Sequence, residues 1–262
     1  MKSDMMSLLR REYDAWRQGA WKLPVPFTNA CAPFLFFMGP QPRVDQKKLL
    51  IISLEPLLDD ATFAPQVALS QSFNDYVSWQ LDFFREFPSR TGVGLTRYWA
   101  AMHRLACGWL GRSPAAGKAR WDVIGEALSE MPLIPMHARE HAGTWQARRA
   151  QVLELFNERI ELAIDSGQFG AALVLGSDPA SEIMKLPGVR TLAPGRLHPG
   201  VHVDPRIGAT LGNRFSLPLE RAEIRGARGT LPLFLRRAPM SNGWQPTALG
   251  IHELGRVLRA VA

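Results

Sequence analysis

Cysteine is almost missing from this chain: Cys31 and Cys107 are the only two among 262 residues. Two cysteines build no disulfide framework and cannot supply a zinc site that needs several thiolates, and such sparse usage suits a reducing cytoplasm. Long apolar runs are missing too, and none reaches the length of a membrane span. The opening residues, MKSDMMSLLRREYDAWRQG, are charged and patterned as a helix, without the apolar core of a secretory leader. No internal repeat or low-complexity linker interrupts the sequence, which reads as one domain over 1–262 with an N-terminal helical extension. Negative charge is in short supply: 31 Lys and Arg stand against 24 Asp and Glu, a formal charge of +7. That balance favours polyanionic partners, because each neutralised phosphate releases counterions. A solvated arginine surface gives the same balance, so charge supports a nucleic-acid partner without assigning one.

What is present begins with Lys48-Leu49-Leu50-Ile51-Ile52-Ser53-Leu54-Glu55-Pro56. The apolar run has the length and branching of a buried strand over 49–54, and Pro56 stops its ladder for want of an N–H. Glu55 is thereby expected at the carboxyl end of a central strand, where open α/β sheets bind ligands. A carboxylate there is either a cap for the following segment or a working group.

Further strands are expected at 131–136, 171–175 and 189–193, with another in the tail at 231–235. Apolar spacing predicts helices over 4–19, 72–87, 96–110, 147–165, 179–185 and 246–260. In the fifth of these, Ser177 or Asp178 is expected to cap and Pro179 to sit in the first turn. Alternating strands and helices imply an α/β fold: a central, mostly parallel four-stranded sheet with helices on both faces. The strand ends carry Glu55-Pro56, Pro135 to His137, Asp178-Pro179 and His198-Pro199. Parallel strands release such groups along one edge, so they can converge.

In this order the motifs resemble the uracil-DNA glycosylase superfamily. SLEP at 53–56 is similar to the family's first strand-end motif, and LHPGV at 197–201 to its His-Pro-Ser motif. LVLGSDPASEIM at 173–184 resembles the strand, glycine and helix between them, and GPQPRVDQKKLL the lead-in of bacterial members. The resemblance spans roughly 33 to 206. It implies a monofunctional DNA glycosylase that works without metal or organic cofactor, as a cytoplasmic monomer on DNA.

By resemblance, Glu55 orients and activates the water that attacks the anomeric carbon, and a carboxylate there also suits the cationic sugar left by the departing base. His198 supports the leaving base. Ser53, Leu57, Met136 and His137 fall at substrate-facing places, and Phe63 or Phe73 at the place of the ring that stacks on the flipped base. Both phenylalanines also read as core. Val201 or Val203, with His202 and Arg206, follows the second motif toward the DNA. Arg139 and Ser177 are further DNA-contact candidates.

Three departures bear on the substrate. The second strand end offers Pro135, Met136 or His137 where uracil-removing members carry asparagine. Leu57 stands where the most familiar branch has a tyrosine that blocks bulky pyrimidine substituents, and Gly200 replaces serine. These changes point to a modified base, such as glucosylated hydroxymethylcytosine in phage DNA, in an antiviral role. Two other readings stand beside this one. The first is a non-catalytic binder of DNA or modified bases on the same fold. The second is a metal hydrolase using His137, Glu140, His141 and Asp178, since HAREH has the inverted His-x-x-Glu-His spacing.

Overall fold

The computed structural model describes residues 2–21, 30–40, 46–54, 67–92, 94–114, 120–136, 149–193, 220–237 and 248–262. In chain order its elements are α1 (Lys2–Arg17), β1 (Lys48–Ser53), α2 (Phe73–Leu81), α3 (Phe83–Thr91), α4 (Arg97–Leu110) and α5 (Arg120–Ala127). There follow β2 (Leu128–Pro132), α6 (Arg149–Asp165), β3 (Phe169–Leu175), α7 (Ser177–Ile183), β4 (Val189–Ala193), β5 (Glu220–Arg225), β6 (Thr230–Arg236) and α8 (Ala248–Val261).

The strands form one six-stranded mixed sheet in the order β2-β1-β3-β6-β5-β4. The first four run parallel: Ile51 is paired with Glu130 on one side and Leu173 on the other, and Leu173 with Phe234. β5 runs antiparallel to both β6 and β4. The expected four-stranded sheet is thus corrected to a six-stranded one, and its fourth parallel strand is β6 rather than the strand at 189–193. β5 escaped prediction because ERAEIR buries only Ala222 and Ile224, with charged residues between them.

Alternation along the strands divides the core in two, as a period of two requires when both faces are covered. Leu50, Ile52, Met131, Ala172 and Val174 face α1, α6 and α7. Leu49, Ile51, Leu128, Ala171 and Leu173 face α3, α4, α5 and α8. Helices on both faces are therefore present. The amino-terminal helix is part of the core, contributing Met5, Leu8, Leu9 and Tyr13.

Several boundaries move for local reasons. The 72–87 helix is two helices that break at Asp82, and Pro88 lies inside the second instead of closing the first. β2 starts at Leu128 rather than 131, because Ser129 and Glu130 are buried in the sheet despite their polarity. Ser177 is the first residue of α7, while Gly176, at φ 103°, holds the cap position without a side-chain bond.

On the second face α4 and α8 cross with almost no space between backbones. A Cβ on Gly108 would lie 1.9 Å from His252 O, and one on Gly255 would lie 2.2 Å from Leu105 O. Glycine at both positions is what allows this crossing.

Candidate functional site

β2, β1, β3 and β6 share a direction, so their carboxyl ends share one edge. From β1 the chain goes outward to β2, whereas from β3 it goes outward toward β4 on the other side. The neighbouring strands β1 and β3 therefore send their connections opposite ways, and such a switch point is where open α/β sheets place a ligand crevice. Ser53 and Leu54 stand at the end of β1 on one side of this switch point, and Gly176 with the exposed Ser177 at the end of β3 on the other.

The end of β1 is firmly held. Leu133 N donates to Ser53 O and Ile134 N to Leu54 O, each at 2.8 Å, which extends the β1–β2 ladder past Pro132. Ser53 Oγ donates to Glu130 Oε1 at 2.7 Å. Glu130 is enclosed by β1, by α4 and by Phe37, whose backbone exchanges two hydrogen bonds with it at 2.7 and 3.0 Å. Burial pushes its carboxyl up to about 7, against the opposing pull of hydrogen bonding from Ser53 and Tyr98. The Tyr98 hydroxyl falls short of full hydrogen-bond geometry but lies near enough to favour the ionised carboxylate.

Arg159 fastens the neighbouring strand end from below. Fully buried on α6, it donates to Pro132 O at 2.7 Å, Leu133 O at 2.9 Å and Leu35 O at 3.1 Å. Its burial lowers the guanidinium to about 9, and these carbonyls take the place of a counter-ion. Farther along the edge, Gly176 N donates to Arg236 O at 2.8 Å and joins the ends of β3 and β6. Arg237 reaches Glu220 and, at 3.2 Å, Ser181 Oγ.

Of the sequence candidates, Ser53 and Ser177 thus lie at the ends of the neighbouring parallel strands β1 and β3. Ser177 Oγ reaches the neighbouring Asp178 Oδ1 at 3.4 Å. Met136 is fully buried in the core and offers no surface to a ligand. Phe73 lines a separate groove of about 460 Å³ with Met6, Ser7, Arg10 and Arg11, and none of the strand-end residues borders it. The Arg10 guanidinium lies 3.5 Å above the Phe73 ring and covers that face. Glu55, Leu57, Phe63, His137, Arg139, His198, Val201, His202 and Arg206 lie outside the described residues, as do Glu140, His141 and Val203.

No protein-family model and no curated protein matches this chain. The site therefore rests on its own chemistry. Among the described residues no group of three His, Cys, Asp or Glu side chains could hold a metal ion. Nor is any described helix long and apolar enough to cross a membrane. The end of β1 holds a half-buried serine bonded to an enclosed carboxyl, two residues before Glu55 in the sequence. Such a pair can exchange hydrogen bonds or a proton with a bound polar group.

Two residues of this edge escaped the sequence reading. Glu130 gave no local signal, since its enclosure depends on Ser53 and Phe37, both distant in sequence. Arg159 did leave a trace. It stands at helical spacing between Leu155 and Phe156 on one side and Ala163 on the other, inside an apolar stripe.

Proposed function

We propose that this chain is a monofunctional DNA glycosylase, which flips a non-standard base out of DNA and hydrolyses its N-glycosidic bond to leave an abasic site. The observation that supports the reading is the topological switch point between β1 and β3, since Glu55 follows the end of β1 by two residues in the sequence. In this reading Glu55 orients water and stabilises the sugar cation, and His198 supports the departing base. Ser53 and Leu57 border the base, while Arg139, Ser177, Val201, His202 and Arg206 meet the DNA. The positive charge of +7 suits that polyanion. We assign the work to a cytoplasmic monomer, and the substrate to a modified cytosine of phage DNA such as glucosylated hydroxymethylcytosine.

One observation favours a second reading, a DNA or modified-base binder without catalysis. β4, which leads into His198, is four strand positions from β1, about 19 Å at ordinary strand spacing. His198 is five residues past Ala193 and Glu55 two past Ser53. Extended chain of those lengths covers about 17 Å and about 7 Å, so the two groups can meet only if their segments turn toward each other.

An excision assay separates the readings. DNAs carrying uracil, hypoxanthine, 5-hydroxymethylcytosine or its glucosylated form are incubated with the protein, and alkali reveals abasic sites. Cleavage of one substrate supports the glycosylase. DNA binding with no abasic product supports the binder, and the absence of both overturns the pair.

A further inference from the structure

Ser53 and Glu130 carry an inference that rests on the glycosylase reading and goes further, to how the site addresses its ligand. Glu130 Oε1 lies 2.7 Å from Ser53 Oγ, the only side-chain bond of full geometry that the carboxyl makes among the described residues. Ser53 itself is half-buried at the end of β1, so it stands between the enclosed carboxyl and the surface at the switch point. A serine hydroxyl has one proton to give and two lone pairs to accept with. Its direction is therefore decided by whichever neighbour has the stronger claim.

We propose that Glu130 sets the hydrogen-bond polarity of Ser53 toward the bound DNA. With its proton on, Glu130 donates to Ser53 Oγ and frees the serine hydroxyl to donate outward. With its proton off, the carboxylate takes the serine proton as its own hydrogen bond, and Ser53 offers only lone pairs outward. Both states keep the 2.7 Å contact, and the proton that leaves Glu130 goes to water. A donor is the polarity that suits a phosphate oxygen or a base carbonyl, so the protonated state is the one that binds.

The surroundings allow the switch to work near neutral pH. Glu130 titrates at about 7 because of its burial, with Ser53 and Tyr98 pulling the other way. Among the described residues these two groups, from β1 and α4, are the ones that bear on it, and no cation on β1, α4, α5 or the 34–38 segment contributes. Tyr98 itself stays protonated through this range, because burial raises it well above the ordinary phenol value.

The test uses the full chain and two readouts. Infrared difference spectra between pH 5.5 and 8.5 report a carboxylic-acid C=O band. The band is expected to vanish with a midpoint near 7 in the wild type and to be absent in Glu130→Gln. In Ser53→Ala the midpoint should move up by about half a unit or more, since the serine bond favours the ionised form. The second readout is affinity for a fluorescent DNA duplex carrying 5-hydroxymethylcytosine. The wild type should bind about three- to tenfold more tightly at pH 6 than at pH 8, beyond the change seen in Glu130→Gln, whose amide stays able to donate.

No titrating band, or an unmoved midpoint in Ser53→Ala, overturns the coupling whatever the protein does to DNA. Equal pH dependence of binding in wild type and Glu130→Gln overturns the polarity switch. If the band behaves as expected but the duplex is not bound at any pH, the coupled pair stands and the glycosylase reading fails. Should Glu130→Gln not fold, the Ser53→Ala midpoint and its loss of pH-dependent binding decide the matter alone.

Discussion

Arg159 Nη1 donates to Pro132 O at 2.7 Å, so a side chain from α6 closes the last residue of β2. The same guanidinium also satisfies Leu133 O and Leu35 O, and thereby ties the strand end to the buried segment that runs beside it. Leu133 and Ile134 in turn hold the backbone of Ser53 and Leu54. The end of β1 is thus supported, through the 132–134 segment, by a buried cation on the helix that packs against the sheet.

Replacing Arg159 with Leu removes the donor to three enclosed carbonyls. The variant should lose about 3 kcal/mol or more of stability, the cost of leaving buried polar groups unmet. Urea unfolding followed by tryptophan fluorescence checks this. A loss below about 1 kcal/mol would mean that water replaces the guanidinium.

Glu130 gives the stability a pH dependence of known sign. Its folded pKa of about 7 lies above the ordinary 4.5, so the folded state holds its proton more tightly than the unfolded one. That contribution is complete below pH 4.5 and is lost as pH rises to about 7, a fall of about 3 kcal/mol. In Glu130→Gln this fall should disappear from chemical unfolding curves measured between those pH values.

Lys48 acts in the opposite sense at the other end of β1. Its ammonium donates to Gly125 O at 2.5 Å, and burial lowers the group from 10.5 to about 7. The folded state prefers the neutral amine, so stability gained at high pH is lost as pH falls from 10.5 to about 7. Lys48→Met should flatten that alkaline limb and raise stability at pH 7. With both groups intact, the two limbs meet in a stability minimum near neutrality.

Gly108→Ala or Gly255→Ala pushes a methyl group into the facing helix backbone. Since each Cβ would fall within 2.2 Å of a carbonyl oxygen, the α4–α8 crossing must open. The expected cost is about 3 kcal/mol, at the upper end for overpacking and larger than the helix-propensity gain of alanine. Thermal unfolding by circular dichroism measures it.

Much of this architecture is legible in the sequence, and the rest is hidden for physical reasons. Leu49 to Ile52 announce a buried strand because every one of them is apolar, and α4 and α6 follow from their stripes and the Gly111 and Gly167 stops. The place of β4 is not legible, since VRTLA carries no sign of which neighbour it will pair with. The sheet instead sets β6 beside β3, a pairing decided by Leu231, Leu233 and Leu235 joining the first core. The site is less legible than the fold. Ser53 was readable as a strand end, whereas its partner Glu130 lies 77 positions away and looks like a surface acid.

The most direct test of the central claim is single-turnover excision by wild type, Glu55→Gln and His198→Ala on whichever modified-base duplex the wild type cleaves. The account predicts that each variant loses about a hundredfold or more in rate, the scale of a lost catalytic group, while DNA affinity stays within about threefold. Excision at the wild-type rate in Glu55→Gln would contradict it, because the carboxylate at the end of β1 would then have no part in the chemistry.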